Sequence, residues 1–307
     1  MAEPERARSK AYKCSKTPHF VRPAPCFHGS WNRWAYRLKM TSRRFDNGLV
    51  NMPDIAWNKA KWSDSAMWTD GGEIWSAHWD SSEIQWWTMI RPRIAKVLPA
   101  NSVVEIAPGH GRWTHFLLDQ CERYIGFDVA EQCTAHCRIR FANVCERRPV
   151  RFETNDGASL PGVADKSVDF VFSFDSLVHV EQPTIEAYLS AIARVLRPGG
   201  RAFLHHSNYA AVPEQPTGWD HERGRSQSAA SIRAAAESFG LHVLVQEPVS
   251  WGGNILLDCF SSIAKSDGTN LPPTVIIENP TFWADAERLV RYLMPYQRDS
   301  ETPKTIV

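Results

Sequence analysis

The stretch Val103-Val104-Glu105-Ile106-Ala107-Pro108-Gly109-His110-Gly111-Arg112-Trp113 decides how this 307-residue chain is read. An apolar run ends in a turn of small residues, and the turn opens into a helical pattern. Small residues let a ligand come close to the backbone. In doubly wound folds such a ligand lies outside the carboxyl end of the sheet. A dinucleotide turn requires a third glycine three residues after Gly111, where Thr114 stands. A Walker loop requires Gly-Lys-Ser or Gly-Lys-Thr, which is absent. What remains is an acid followed by small-x-Gly-x-Gly: Glu105, Ala107, Gly109 and Gly111. A carboxylate at the strand end suits a ligand that ends in an ammonium rather than in phosphates.

Downstream, short apolar runs alternate with helical patterns. Strands are expected at 102–107, 123–127, 150–154, 167–174 and 201–206, with helices at 112–120, 131–144, 184–196 and 228–239 between and after them. Two last strands, 241–247 and 255–264, are joined by a short connection through Trp251, Gly252 and Gly253 and should pair antiparallel. The βαβα order implies a parallel sheet with helices on both faces. The fold class expected is α/β: a doubly wound, Rossmann-like, seven-stranded sheet, mostly parallel with one antiparallel strand. A helical cap should precede it and a helical arm should follow it.

Two further acids stand at strand ends. Asp128, followed by Val129, closes the second strand, where a carboxylate can grip a ribose diol. Asp156, followed by Gly157, comes after the third, where it can accept from an adenine amino group. Taken singly, each acid is equally readable as a helix N-cap or a solvated turn. Their place at successive strand ends favours the ligand.

With these residues in view, the span from about 82 to 264 resembles the class I methyltransferases that use S-adenosylmethionine (SAM). Glu105 to Gly111 is similar to their first motif, with Ala107 in place of the usual first glycine. Asp128 and Asp156 match the ribose-side and adenine-side acids. Residues 167–180, which include Phe174, are similar to the fourth-strand motif. Residues 196–206 are similar to the Leu-x-Pro-Gly-Gly motif and its following strand. The resemblance implies SAM as cofactor, held by Glu105, Ala107, Gly109, Gly111, Asp128, Val129, Asp156, Gly157 and Phe174. More narrowly, the chain is similar to bacterial methyltransferase-domain proteins associated with saccharide or natural-product modification.

A hydroxyl acceptor needs its proton removed, and histidine suits that work near neutral pH. His179 follows the fourth strand in Asp175-Ser176-Leu177-Val178-His179. Ser173-x-Asp175-x-x-x-His179 is similar to a segment of phosphoethanolamine-type methyltransferases in which the histidine assists catalysis. A loop-bonding histidine is the structural alternative. His205 and His206 end the fifth strand, and alternation sends their side chains to opposite faces. His179, Asp175 and His206 are therefore the expected catalytic residues. Asp175, His179, Glu181 and one of the two strand histidines could also gather a divalent metal, but no ligand set is assigned.

The function expected is methyl transfer to a hydroxyl of a small polar acceptor, a sugar or natural product. The alternatives are an N- or S-methyltransferase and a non-catalytic SAM-binding partner protein. The Asn/Asp-Pro-Pro-Tyr/Phe signature of exocyclic-amine nucleic-acid methylation is absent after the fourth strand, which reads Phe174-Asp175-Ser176-Leu177. The Pro-Cys of cytosine C5 methylation is absent there too, and Pro25-Cys26 lies far upstream. A net charge of +1 gives no whole-chain reason for a nucleic-acid or membrane partner. A homo-oligomer is compatible with the sequence.

The domain boundaries expected are 1–50, 51–100, 101–264 and 265–307. Residues 1–50 are basic, interrupted by Pro18, Pro23 and Pro25, and read as a flexible extension in which Met40 offers an alternative start. Residues 51–100 hold Trp57, Trp62, Trp68, Trp75, Trp79, Trp86 and Trp87, read as packing against the main domain or as an aromatic lid. Trp79, Trp86 and Trp87 are the lid candidates. A helix is expected over 82–98, with Pro92 as a kink. The arm should contain an amphipathic helix near 281–293. Seven cysteines without a C-x-x-C pair give weak grounds for zinc or a disulfide framework. Cys133 and Cys137 read as packed thiols. With no secretory h-region and no apolar span, the chain reads as a cytoplasmic protein.

Overall fold

The computed structural model describes residues 53–213 and 222–297. The expectation for residues 1–50 lies outside them. The first elements are helix α1 (Ile55–Trp62), two 3₁₀ segments (Ser65–Trp68 and Glu73–Trp79) and a helical run from Ser82 to Arg93. Asp54 caps α1 by accepting from the Trp57 N–H at 2.7 Å. The helical run is shorter than the periodicity suggests. A π turn, Trp86–Ile90, slips its register just before Pro92, and the Arg91 N–H reaches back to the Trp86 carbonyl. The slip falls where the proline, lacking an N–H, interrupts the helical ladder.

The sheet follows: β1 (Ala100–Ile106), β2 (Cys121–Asp128), β3 (Val150–Thr154), β4 (Val168–Ser173), β5 (Leu196–Ser207), β6 (Leu241–Val249), β7 (Asp258–Lys265) and β8 (Val275–Ile276). Their spatial order is 3-2-1-4-5-7-6-8. Pairings among β1 to β5 are parallel, β7 runs antiparallel to β5 and β6, and β8 is parallel to β6. One strand is thus reversed, as expected, but the sheet has eight strands rather than seven. The extra edge strand comes from the segment after Pro272 and Pro273, and two residues are too few to show alternation in a sequence.

Helices α2 (Thr114–Leu118), α3 (Glu131–Arg140), α4 (Gln182–Val195) and α5 (Ala229–Ser238) flank the sheet, and α6 (Phe282–Gln297) is the last element among the described residues. In α4, Ile185, Leu189 and Ile192 are fully buried on one stripe. Ser228 and Ser231 cap α5 reciprocally. One apolar layer joins α4 and α5 to the sheet through Val104, Val171, Leu204 and Ile263. The other, on the opposite face, holds Trp86, Tyr124, Phe172, Phe203 and Phe260. Trp79 and Trp86 belong to this second layer and are about 1% exposed, whereas Trp87 is 55% exposed. Trp79 and Trp86 are thus core residues behind the site, and Trp87 stands at the surface.

The chain leaves β1 for β2 on one side and returns to β4 on the other, so the switch point of the sheet lies between β1 and β4. The loops after β1 and β4 open there, at the carboxyl edge.

Candidate functional site

The loop after β1 turns by means of three residues with positive φ: Ala107 at 57°, Gly109 at 57° and Gly111 at 84°. Ala107 occupies a conformation that glycine favours, and this costs about 1 kcal/mol or more. The Asp128 carboxylate fixes the loop from the end of β2. One oxygen accepts the Gly109 N–H at 3.0 Å and the other the Ala130 N–H at 2.9 Å. Burial raises its pKa to about 6, against the opposing pull of these N–H groups. The carboxylate is thus oriented at the switch point with lone pairs to spare.

Glu105 lies behind the loop and is 1% exposed. Its Oε2 accepts from the Thr114 hydroxyl at 2.7 Å and from the Tyr124 hydroxyl. Burial raises its pKa to about 7. A carboxyl raised above its unfolded value contributes most to stability while protonated and loses that contribution as pH rises through about 4.5 to 7. We expect Glu105→Gln to unfold at higher urea than wild type at pH 8 and to show less of a gap at pH 5. Urea titrations at the two pH values check this.

Asp156 behaves as a turn residue. One oxygen, Oδ1, takes the N–H groups of Ala158 and Ser159 and the Ser159 hydroxyl. Burial would raise the carboxyl, but these bonds hold it below the usual value. The structural alternative describes Oδ1, and only Oδ2 is left without one of these bonds. Gly157, with φ 82°, lies against Val129, so these two residues and Asp156 share one corner at the β2 and β3 ends.

The loop after β4 brings in the acceptor-side candidates. Phe174 packs against His205, Trp113 and Trp251 and is 3% exposed. Asp175 adopts φ 58°. Its carboxylate pairs with the Arg112 guanidinium at 2.6 Å, and Arg112 also donates to Ser76 at 3.1 Å. The guanidinium lies over the Trp113 and Trp75 rings, 4.6 and 5.5 Å from their centroids. The Asp175 N–H donates to Nδ1 of His205 at 3.1 Å, so Nε2 of His205 carries the proton toward Asp258 at 3.2 Å. Arg223 clamps Asp258 by two bonds of 3.0 and 2.6 Å. Arg112, Asp175, His205, Asp258 and Arg223 thus form one connected chain of polar groups.

His179 is buried beside this chain. Its Nδ1 donates to the Glu222 carbonyl at 3.1 Å, which leaves the Nε2 lone pair to accept a proton. Its ring packs on Trp62 at 5.3 Å. Burial, then the positive charge of Arg223, lowers its pKa to about 3. His206 does not join the site. It points to the face opposite His205, where its ring nitrogens meet the Ser207 carbonyl and the Ser261 hydroxyl. Register decides which of two alternating histidines faces the site, and β5 gives that place to His205. Glu181 is also elsewhere, accepting the N–H groups of Arg225 and Ser226. Among the described residues no group of three or more His, Cys, Asp or Glu side chains is disposed to hold a metal. Cys133 and Cys137 are buried free thiols, and burial pushes both pKa values up.

Arg112, Asp258 and Arg223 join the site without a signal in the sequence motifs, and three tryptophans not singled out there lie near it. Trp62, Trp68 and Trp75 form the aromatic cluster above the loops, with centroids 5.0 to 6.0 Å apart. Arg112 directly follows the first motif, next to Gly111. Nothing in the sequence links Arg223 to Asp258.

Residues 103–200 match the family model described as a methyltransferase domain. Solved structures are similar at a greater distance. A protein of Pyrococcus horikoshii is 17% identical, over 68% of this chain and 99% of that one, with a TM-score of 0.49. A SAM-dependent methyltransferase of Mesorhizobium loti is 15% identical, over 60% and 98%, with a TM-score of 0.45. A chain from the complex of the Haloferax volcanii Trm112 methyltransferase activator with a methyltransferase is 20% identical, over 66% and 97%, with a TM-score of 0.48. Among the described residues no helix is long and apolar enough to cross a membrane.

Proposed function

We infer that this chain, whose residues 103–200 match a methyltransferase domain, is a class I enzyme that transfers the methyl group of SAM to a hydroxyl of a small polar acceptor, a sugar or natural product. The observation that supports the cofactor part of this reading is the placement of Asp128 and the positive-φ loop 107–111 at the switch point, with Glu105 behind them. SAM supplies an activated methyl group on a sulfonium. The residues fit that cofactor in kind: Asp128 suits the ribose hydroxyls, Gly157 and Val129 the adenine, and the Glu105 side of the loop the amino-acid end. Ala107, Gly109 and Gly111 give it backbone to lie on, and Phe174 stands at the edge of the acceptor side.

The chain's own part in the chemistry is to hold, orient and exclude water. Arg112 and Asp175 fix each other at the end of β4, and His205 holds the Asp175 backbone. Nε2 of His179 is the proton acceptor in this reading, with its tautomer set by the Glu222 carbonyl. We expect His179→Ala to lose roughly 10²–10⁴-fold in turnover on a hydroxyl acceptor, with SAM affinity kept. Labelled SAM in a cell extract, with the product identified by mass, supplies the acceptor for that assay. Unchanged turnover would remove the base role.

A second reading has a specific observation in its favour. A histidine held near pKa 3 is a weak proton acceptor. A neutral amine or a thiolate needs no such base, so N- or S-methylation is the reading that full activity of His179→Ala would support.

A further inference from the structure

The segment from Pro53 to Trp68 crosses the loops that make up the candidate cofactor bed. Ile55 lies over the adenine corner: a β-carbon built on Gly157 would stand 2.9 Å from its Cγ2. Trp68 lies over the turn: a β-carbon built on Gly109 would stand 2.3 Å from its Cη2 and 2.7 Å from its Cζ3. The Trp68 ring also stacks on His110 at 4.3 Å. Between these two, the Asn58 amide donates to the His179 carbonyl at 2.6 Å, and the Cys133 thiol meets the Trp62 carbonyl at 3.6 Å. Both glycines at which a ligand would press on the backbone are therefore already covered, and by apolar side chains of one continuous segment.

This segment touches the domain through Asn58, Lys61, Trp62, Ser63 and Trp68, but few of its side chains are buried. Between 53 and 70 only Pro53 and Asn58 are buried. After it come Gly71 and Gly72, with φ of 69° and 93°. Beyond these glycines the chain is anchored by Trp79, Trp86 and Ile90, each about 1% exposed or less. A thin element joined through two glycines to a deeply packed one is where local opening costs least.

We propose that residues 53–68 form an autoinhibitory strap. Ile55 and Trp68 occupy the two ends of the cofactor bed, and the cofactor enters when the strap swings away on Gly71 and Gly72. The apparent affinity is then the intrinsic affinity reduced by the fraction of molecules that are open. This rests on the SAM reading of the bed.

The test uses the full chain and S-adenosylhomocysteine, followed by stopped-flow tryptophan fluorescence and by hydrogen exchange. With wild type, the observed binding rate should level off as ligand rises, at the opening rate of the strap. Trp68→Ala, and separately Ile55→Ala, should raise that plateau about tenfold or more. Amides of residues 55–68 should exchange faster in the complex than in the free protein. A rate that rises linearly with ligand and is unchanged in both variants, with slower exchange of those amides in the complex, would make the segment a roof clamped on the cofactor and overturn the proposal. Binding to neither wild type nor variants would instead overturn the SAM reading, and the strap with it.

Discussion

Asp258→Ala should cost about 3–5 kcal/mol of folding stability, the range for removing one partner of a buried ion pair. Asp258 is fully buried, and Arg223 and His205 are nearly or fully so. The substitution removes the carboxylate that neutralises the Arg223 guanidinium and accepts from Nε2 of His205. Burial alone would raise the Asp258 carboxyl, but Arg223 and then His205 reverse this and hold it well below the usual carboxylate range. A depressed carboxyl contributes stability that is present above the unfolded pKa, about 3.9, and is lost as pH falls through the folded value. The gap between variant and wild type should therefore be full at pH 7 and shrink below about pH 4. Urea titrations at both pH values check the size and the sign. A gap under about 1 kcal/mol at pH 7 would mean that the network contributes little to the fold.

Asp128→Ala should weaken binding of SAM and S-adenosylhomocysteine by about 100-fold, or roughly 2.7 kcal/mol. Hydrogen bonds to a charged acceptor are worth about 1.5–3 kcal/mol, and a ribose offers two hydroxyls to this carboxylate. The substitution also leaves the Gly109 N–H without its acceptor, so the turn itself loosens. Asp128→Asn keeps one acceptor oxygen and should lose less. Because the wild-type carboxyl has a pKa of about 6, cofactor affinity should fall as pH drops through that value, and the fall should be absent in both variants. Calorimetry across pH 5 to 8, with circular dichroism to confirm the fold, reads both effects.

What a sequence makes legible here is what is local. The strand, the turn and the helix start around Glu105 to Trp113 are set by neighbouring residues, and the alternation of strand and helix patterns implies the parallel sense of the strands. The reversed strand followed from a connection too short for a crossover. Legibility ends where the structure joins distant positions. Arg112, Asp175, His205, Asp258 and Arg223 meet only because β4, β5 and β7 are adjacent. The choice between His205 and His206 depends on which face β5 turns to the site, and alternation says only that they differ. The tryptophans show the same limit: their number signals burial, but the buried pair Trp79 and Trp86 and the covering pair Trp62 and Trp68 differ only by the turn at Gly71 and Gly72. Asp156 was open to two readings from the start, and its bonds to Ala158 and Ser159 favour the turn.

Titration calorimetry of the full chain shows whether the protein holds a bed for a sulfonium nucleoside. S-adenosylhomocysteine should give saturable one-site heat, while ATP and NAD give none. No heat with S-adenosylhomocysteine, together with saturable heat from either phosphorylated nucleotide, would exclude that bed.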